Sequence, residues 1–222
     1  MPALGRVFRA VRHHFTAEME LSGKGTVRYM NRSTRQEDEL YIRQTLEGQQ
    51  DAFGHLISKY QDRLYNSMVY ILRSESEAED VVQDAFILAM TRLSSFKGNS
   101  QFYTWLYRIA HNVAISRLRR RKPTVSLEAS ENAARFELPD SGPAPGDRIV
   151  REESASELMM ALDRLSGEHR RILILREMDE LDYEAISEIL DLPIGTVRSR
   201  LHRARSQLKQ ALETIMADRK SH

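Results

Sequence analysis

Apolar residues recur along most of this chain at helical spacing and almost nowhere at the alternation of a half-buried strand, so the fold must be built from amphipathic helices. Phe53, Leu56, Ile57, Tyr60, Leu64, Met68 and Ile71 fall at i, i+3, i+4, i+7, i+11, i+15 and i+18 and predict one long helix. Val82, Ala85, Phe86, Ala89 and Leu93 repeat the spacing in the next segment, and Phe102, Leu106, Ile109 and Val113 repeat it again. Leu158, Met159, Leu162 and Leu165 form a further stripe that Ser166-Gly167 breaks. Between these sets, the stretch from Lys122 to Arg148 carries Pro123, Pro139, Pro143, Pro145, Gly142 and Gly146 with few large apolar residues, which predicts a linker. The expected fold class is all-α: two small helical bundles joined by a flexible linker. Their expected extents are 37–121 and 149–216, with residues 1–36 a basic N-terminal extension and 122–148 the linker. Fully extended, residues 123–148 span at most about 90 Å at ~3.4 Å per residue.

The segment Asp182 to Leu208 is the most informative. Asp182 can N-cap a short helix whose Ala185, Ile186, Ile189 and Leu190 face inward. Asp191-Leu192-Pro193 then turns the chain, and Pro193 suits the start of a helix because its missing N–H would have been unpaired there anyway. From about Ile194 a second helix buries Val197, Leu201, Ala204 and Leu208. That leaves Thr196, Ser199, Arg200 and Arg203 on the opposite side, flanked by Arg198 and Arg205. This is the plan of a helix-turn-helix, in which the second helix enters the major groove and its leading residues reach base edges. The small residues Gly195, Thr196 and Ser199 stand at the leading end, where close approach matters.

Composition excludes several alternatives. The 222 residues include no Cys, so disulfides, thiolate zinc sites, cysteine nucleophiles and thiol sensing within the chain are out, which fits a reducing compartment. No apolar run approaches a membrane span, and mean hydropathy is −0.51, so a soluble cytoplasmic protein without stable membrane insertion is expected. A formal charge of +1 explains no affinity for a polyanion by itself. The order of charge is more telling: acidic blocks at 37–90 and 149–190 are each followed by a basic block, at 91–122 and 191–222, as if each bundle offered one face to a basic partner and another to nucleic acid. A hydrolase built on His13, His14, His111 or His169 lacks any metal-type or catalytic spacing, so no enzyme, metal or cofactor is expected. In the extension, Leu4, Val7, Phe8, Val11 and Phe15 make an amphipathic stripe among Arg6, Arg9 and Arg12. A surface-binding helix, an unstructured tail and a true start at Met19 or Met30 all fit it, the last two being preferred.

Glu79-Asp80-Val81-Val82-Gln83-Asp84-Ala85-Phe86 precedes a stretch running from Phe96 through Lys97, Gly98, Asn99, Ser100, Gln101 and Phe102 to Asn112. Together with the helix-turn-helix, these motifs resemble an alternative RNA polymerase sigma factor of the extracytoplasmic-function type, over about 37–121 and 149–212. The resemblance implies that the first bundle binds core RNA polymerase and the promoter −10 element, that the second reads the −35 element, and that an anti-sigma factor is a further partner. Asp191 departs from the pattern, since that turn commonly carries Gly, for which a left-handed backbone is cheap.

The residues agree on their own terms. Asp80, Gln83, Asp84 and Ile87 share the helix face opposite the core stripe and make a docking face for a basic partner helix. Holding an unstacked base needs close backbone approach with aromatic and amide side chains. Phe96, Lys97, Asn99 and Ser100 in the loop are expected to do this, with Tyr103, Thr104, Trp105, Arg108, Asn112 and Ser116 on the helix beyond; Trp105 fits a core anchor equally well. Arg119 is expected on phosphates, together with Arg117, Arg120, Arg121 and Lys122. The −35 readers are expected to be Thr196, Arg198, Ser199, Arg200 and Arg203. The alternative is a stand-alone helix-turn-helix regulator that binds duplex DNA without polymerase.

Overall fold

A computed structural model of the chain describes residues 32–121 and 157–220; the N-terminal stripe and the linker lie outside them. Among the described residues the secondary structure is helical, with no strand: α1 (Arg32–Leu46), α2 (Asp51–Leu72), α3 (Glu75–Thr91), α4 (Phe102–Arg121), α5 over 157–163, α6 (Gly167–Leu173), α7 (Tyr183–Leu190) and α8 (Ile194–Lys220). Two compact units form, one from 32–121 with 181–197 and the other from 157–180 with 198–220.

In the first unit α1 packs on α2, α2 on α3 and α4, and α3 on α4. Six of the seven stripe residues expected on α2, namely Phe53, Leu56, Tyr60, Leu64, Met68 and Ile71, are buried, and Ile57 is half-buried. Each such side chain contributes about 1.5–3 kcal/mol relative to exposure. The helix stops because Arg73 turns left-handed at φ 60° and returns its N–H to Val69 O at 2.7 Å. Ser74 then starts α3, its hydroxyl accepting from Glu77 N at 3.4 Å, with Glu75 and Glu77 in a first turn that favours negative charge. Inside the unit, Asp38 of α1 is 4 % exposed yet fully engaged: Tyr60 Oη donates to Oδ2 at 2.5 Å and Lys59 Nζ to Oδ1 at 2.8 Å.

The second unit is pinned by a buried arginine. Arg170 of α6 donates to the carbonyls of Leu162, Asp163 and Leu165 at 3.0, 3.4 and 3.4 Å, so a cation sits at the carbonyl end of α5, where the helix dipole favours positive charge. Ser166 caps α6 by accepting from His169 N at 3.3 Å, so the Ser-Gly break in the stripe is a helix start. The helix then widens over Ile174–Met178, closing with Asp179 N on Ile174 O at 3.0 Å, five residues back. On α8 the stripe Leu201, Ala204 and Leu208 is buried as its spacing predicts, and Leu212 and Ile215 continue it.

Candidate nucleic-acid interface and acidic docking face

Helix α3 buries Ala78, Val81, Val82, Ala85, Phe86 and Ala89, which turns the acidic line outward. Asp80, Gln83 and Ile87 are exposed and Asp84 half-buried; Ile87, at 55 %, and Met90 one turn on are among the most exposed large apolar side chains in the described chain. Arg117, expected on phosphate, instead leans from α4 onto this face. Its Nη1 donates to Asp80 Oδ2 at 2.9 Å and its Nη2 to Asp84 Oδ2 at 2.6 Å. These two hydrogen bonds hold its proton even more firmly than an ordinary guanidinium. The spacing places Arg117 on α4 but gives no sign that two acids from the preceding helix lie within reach.

The loop between α3 and α4 begins in a tight turn at Leu93–Ser95. Phe96 is half-buried, edge-on to Phe102 at 5.8 Å and 5.3 Å from Trp105, while Phe102 and Trp105 are 5.8 Å apart. Trp105 is therefore the half-exposed rim of an aromatic cluster. Gly98 takes φ +70° with open space around a would-be Cβ, so its backbone conformation is what asks for glycine there. Arg35 of α1 donates to Gly98 O at 3.1 Å and ties the loop down, a contact sequence reasoning missed because 63 residues separate the pair. Lys97 and Asn99 are exposed, and Ser100 donates to Glu188 Oε1 at 3.1 Å.

Helix α4 corrects two expectations. Tyr103 is fully buried, 5.4 Å from the Tyr60 ring and 5.8 Å from Tyr107, with the Arg63 guanidinium 4.0 Å from its ring centre. Thr104 is 3 % exposed. Neither side chain is available to a ligand in this conformation. The core face runs through Phe102, Tyr103, Leu106, Tyr107, Ala110 and Ala114, while Ile109 and Val113 are only half-buried, so the buried stripe is rotated by about one residue from the expected one. Tyr103 and Tyr107, one turn apart, both face inward, and the expected stripe of Phe102, Leu106, Ile109 and Val113 left them out. Arg108, Asn112, Ser116 and Arg119 are all exposed and, at i, i+4, i+8 and i+11, share one line. Ser116 Oγ donates to Asn112 O at 2.8 Å, inside its own helix.

In the helix-turn-helix, Asp182 accepts from Ala185 N at 2.7 Å, the cap its position predicts. Ile186 and Ile189 are buried, with Ala185 and Leu190 half-buried. Asp191 does adopt the left-handed conformation, φ 53° and ψ 53°, its N–H bonded to Ser187 O. Ser187 Oγ braces the turn by donating to Leu192 O. Pro193 O accepts from Thr196 N at 2.8 Å and Val197 N at 3.0 Å to open α8. Beyond it Arg198, Ser199, His202 and Arg203 are exposed, and Thr196 and Arg200 half-buried; the space around Gly195 is open.

Arg200 of the expected face and the flanking Arg205 are engaged: Arg200 Nη1 lies 3.1 Å from Glu168 Oε2, and Arg205 places Nε and Nη2 at 2.9 and 2.6 Å from Glu177 Oε1. Burial lowers the proton affinity of neighbouring Arg171, an effect Glu168 opposes and Arg200 adds to. His169 Nδ1 is 2.6 Å from Gln207 Oε1, and His111 is buried in α4. Among the described residues no group of three or more His, Cys, Asp or Glu is placed to hold a metal, and no helix is long and apolar enough to cross a membrane.

Residues 56–124 match the family model described as Sigma-70 region 2, and 155–208 the one described as Sigma-70, region 4. The chain is 36% identical over 179 residues to the ECF RNA polymerase sigma factor SigW of Bacillus subtilis strain 168, covering 78% of this chain and 96% of that protein. It is 37% identical over 191 residues to the RNA polymerase sigma-H factor of Pseudomonas aeruginosa, covering 83% and 98%. With the ECF RNA polymerase sigma-E factor of Escherichia coli strain K12 it shares 38% identity over 188 residues, covering 81% and 96%. Among solved structures it resembles the sigma factor RpoE in complex with the anti-sigma factor NepR from Bartonella quintana, with TM-score 0.57, 26% identity and coverage of 72% and 96%. CnrH in complex with the cytosolic domain of CnrY is alike in fold, with TM-score 0.59, 24% identity and coverage of 80% and 98%.

Proposed function

The chain belongs to the extracytoplasmic-function (ECF) family of RNA polymerase sigma factors, and from that premise we propose how its surfaces divide the work. As a sigma factor it binds core RNA polymerase and directs it to promoters; a regulator that works without polymerase is not favoured by a chain that also matches region 2.

Residues 37–121 act as the polymerase-binding and −10 module, 122–148 as linker, and 149–216 as the −35 module. Asp80, Gln83, Asp84 and Ile87, extended by Met90, meet a basic and partly apolar helix of the polymerase, since exposed carboxylates beside exposed apolar side chains suit a desolvated charged interface. Lys97, Asn99 and Ser100 receive an unstacked base at the tied-down loop, with the Phe96–Trp105 pair as a stacking platform. Arg108, Asn112, Ser116 and Arg119 line the path of the opened strand. Thr196, Arg198, Ser199 and Arg203 face the −35 groove, with Arg200 available once it leaves Glu168. Tyr103 and Thr104 drop out of this set.

The carrying observation is the single exposed line Arg108–Asn112–Ser116–Arg119 leading away from a loop whose backbone is fixed at Gly98. A preformed loop and cationic track suit strand capture, which duplex binding does not need. An anti-sigma factor is a further partner, supported by the RpoE–NepR complex among its structural neighbours. The cytoplasm, where RNA polymerase works, is its place of action, and no residue is assigned a catalytic role. Run-off transcription with purified core polymerase, with and without the chain, tests the proposal. Specific transcripts that require the chain support it, and a lack of any stimulation on genomic fragments that contain its promoters refutes it.

A further inference from the structure

We infer that Arg117 is an internal competitor for the polymerase: in the free chain its guanidinium occupies the Asp80–Asp84 carboxylates, and a polymerase cation must displace it to dock. This rests on the docking face proposed above. The two acids lie one turn apart on α3, and the planar fork of Arg117 reaches both Oδ2 atoms, at 2.9 and 2.6 Å. A partner guanidinium has the same shape and seeks the same acceptors. If Arg117 leaves, its hydrogen bonds are lost; if it stays, the arriving cation approaches another cation at contact range. Either way Arg117 opposes docking by charge alone.

The exchange is feasible because the pair is open to water, with side-chain exposures of 62% for Asp80, 46% for Asp84 and 29% for Arg117. Pairs of this kind hold weakly. Being tethered, Arg117 is present at an effective concentration that a freely diffusing amine does not match. A lone lysine from an unrelated basic surface therefore gains little, whereas a partner that also covers Ile87 and Met90 adds apolar contact and prevails. The competitor thus makes the acidic face selective for a partner that brings both charge and apolar surface.

The test is the affinity of the full chain for purified core polymerase at about 0.05 M and about 0.5 M salt, where the Debye length falls from roughly 14 to 4 Å. Arg117→Gln is expected to bind about two- to tenfold tighter than wild type at low salt, with the gain shrinking at high salt. Arg117→Lys, which keeps the charge but loses the fork, should fall between them. In an Asp80→Asn/Asp84→Asn background, Arg117→Gln should change nothing. Loosening of the α3–α4 contact could only weaken binding, so a gain is not a folding artefact, and circular dichroism checks the fold of each variant. Equal or weaker binding by both folded Arg117 variants, while Asp80→Asn/Asp84→Asn still weakens it, overturns the competitor and leaves the docking face standing. If Asp80→Asn/Asp84→Asn binds as wild type, the docking face falls, and this inference with it.

Discussion

Replacing Tyr60 by Phe probes what holds the first unit together. The phenol is 3 % exposed and its hydrogen bond ties α2 to Asp38, a carboxylate that is itself 4 % exposed. A hydrogen bond to a charged group contributes about 1.5–3 kcal/mol, and here Lys59 at 2.8 Å remains to satisfy part of Asp38, so the lower half of that range is expected. With urea slopes of about 1–3 kcal/mol per molar, the unfolding midpoint should drop by about 1 M. The assay is intrinsic fluorescence, because the chain's only tryptophan, Trp105, lies 5.8 Å from Phe102, which in turn lies 5.8 Å from Tyr60.

The same bond sets a pH dependence. Burial first, then the hydrogen bond and charge of Asp38, raise the Tyr60 pKa far above that of a free phenol. A raised folded-state pKa gives stability that is complete below the unfolded value near 10 and lost as pH rises beyond it, at about 1.4 kcal/mol per pH unit. Tyr60→Phe has no such proton, so its deficit against wild type should shrink between about pH 10 and 11. Coincident urea midpoints at neutral pH, or a deficit that widens in alkali, would refute the reasoning.

At the −35 element Arg203→Ala should relax preference at one base pair by about 1–3 kcal/mol in promoter binding by the holoenzyme, whereas Arg200→Ala should cost less because Arg200 must first leave Glu168. Competition between single-base promoter variants reads both, and equal effects would show that the ion pair does not matter. Asn112→Ala should impair run-off transcription on duplex promoters more than on templates mismatched across the −10 element, where the unstacking cost of a few kcal/mol is partly removed. An equal defect on both templates removes Asn112 from the melting step.

The helices were legible because their apolar faces are simple. Leu201, Ala204 and Leu208 on α8, and Ala85, Phe86 and Ala89 on α3, lie where spacing places them. Caps were legible for the same local reason: Asp182 bonds the N–H three residues on, a contact written within four residues of sequence. On α4 the reading slipped, because Tyr103 was expected at the base-holding surface, whereas its ring packs between Tyr60 of another helix and Tyr107. The missed site residues share one property. Arg35 on Gly98 O and Arg117 on Asp80 and Asp84 join positions 63, 37 and 33 residues apart, and long-range pairing of polar groups leaves no period in a sequence.

Those pairings also decide how the chain meets DNA in salt. Each phosphate neutralised by a free cation contributes a slope of about −0.9 to the logarithm of affinity against the logarithm of salt, because a condensed counter-ion is released. Arg205 begins in contact with Glu177 through two N–H groups, at 2.9 and 2.6 Å. Moving it to a phosphate frees a cation from the DNA but leaves a carboxylate that gathers one, so its net contribution to the slope is close to zero. Arg119 is exposed on the α4 track and pairs with no carboxylate among the described residues, so it has no such exchange to make with them. Holoenzyme carrying Arg119→Ala should therefore bind promoter DNA with a slope shallower by about 0.7, the single-strand value, and Arg205→Ala with a slope close to wild type. Filter binding across a salt series measures both. Flattening by Arg205→Ala as large as that by Arg119→Ala would mean that the Glu177 pair is already broken before DNA arrives, and the argument from internal pairing would fail.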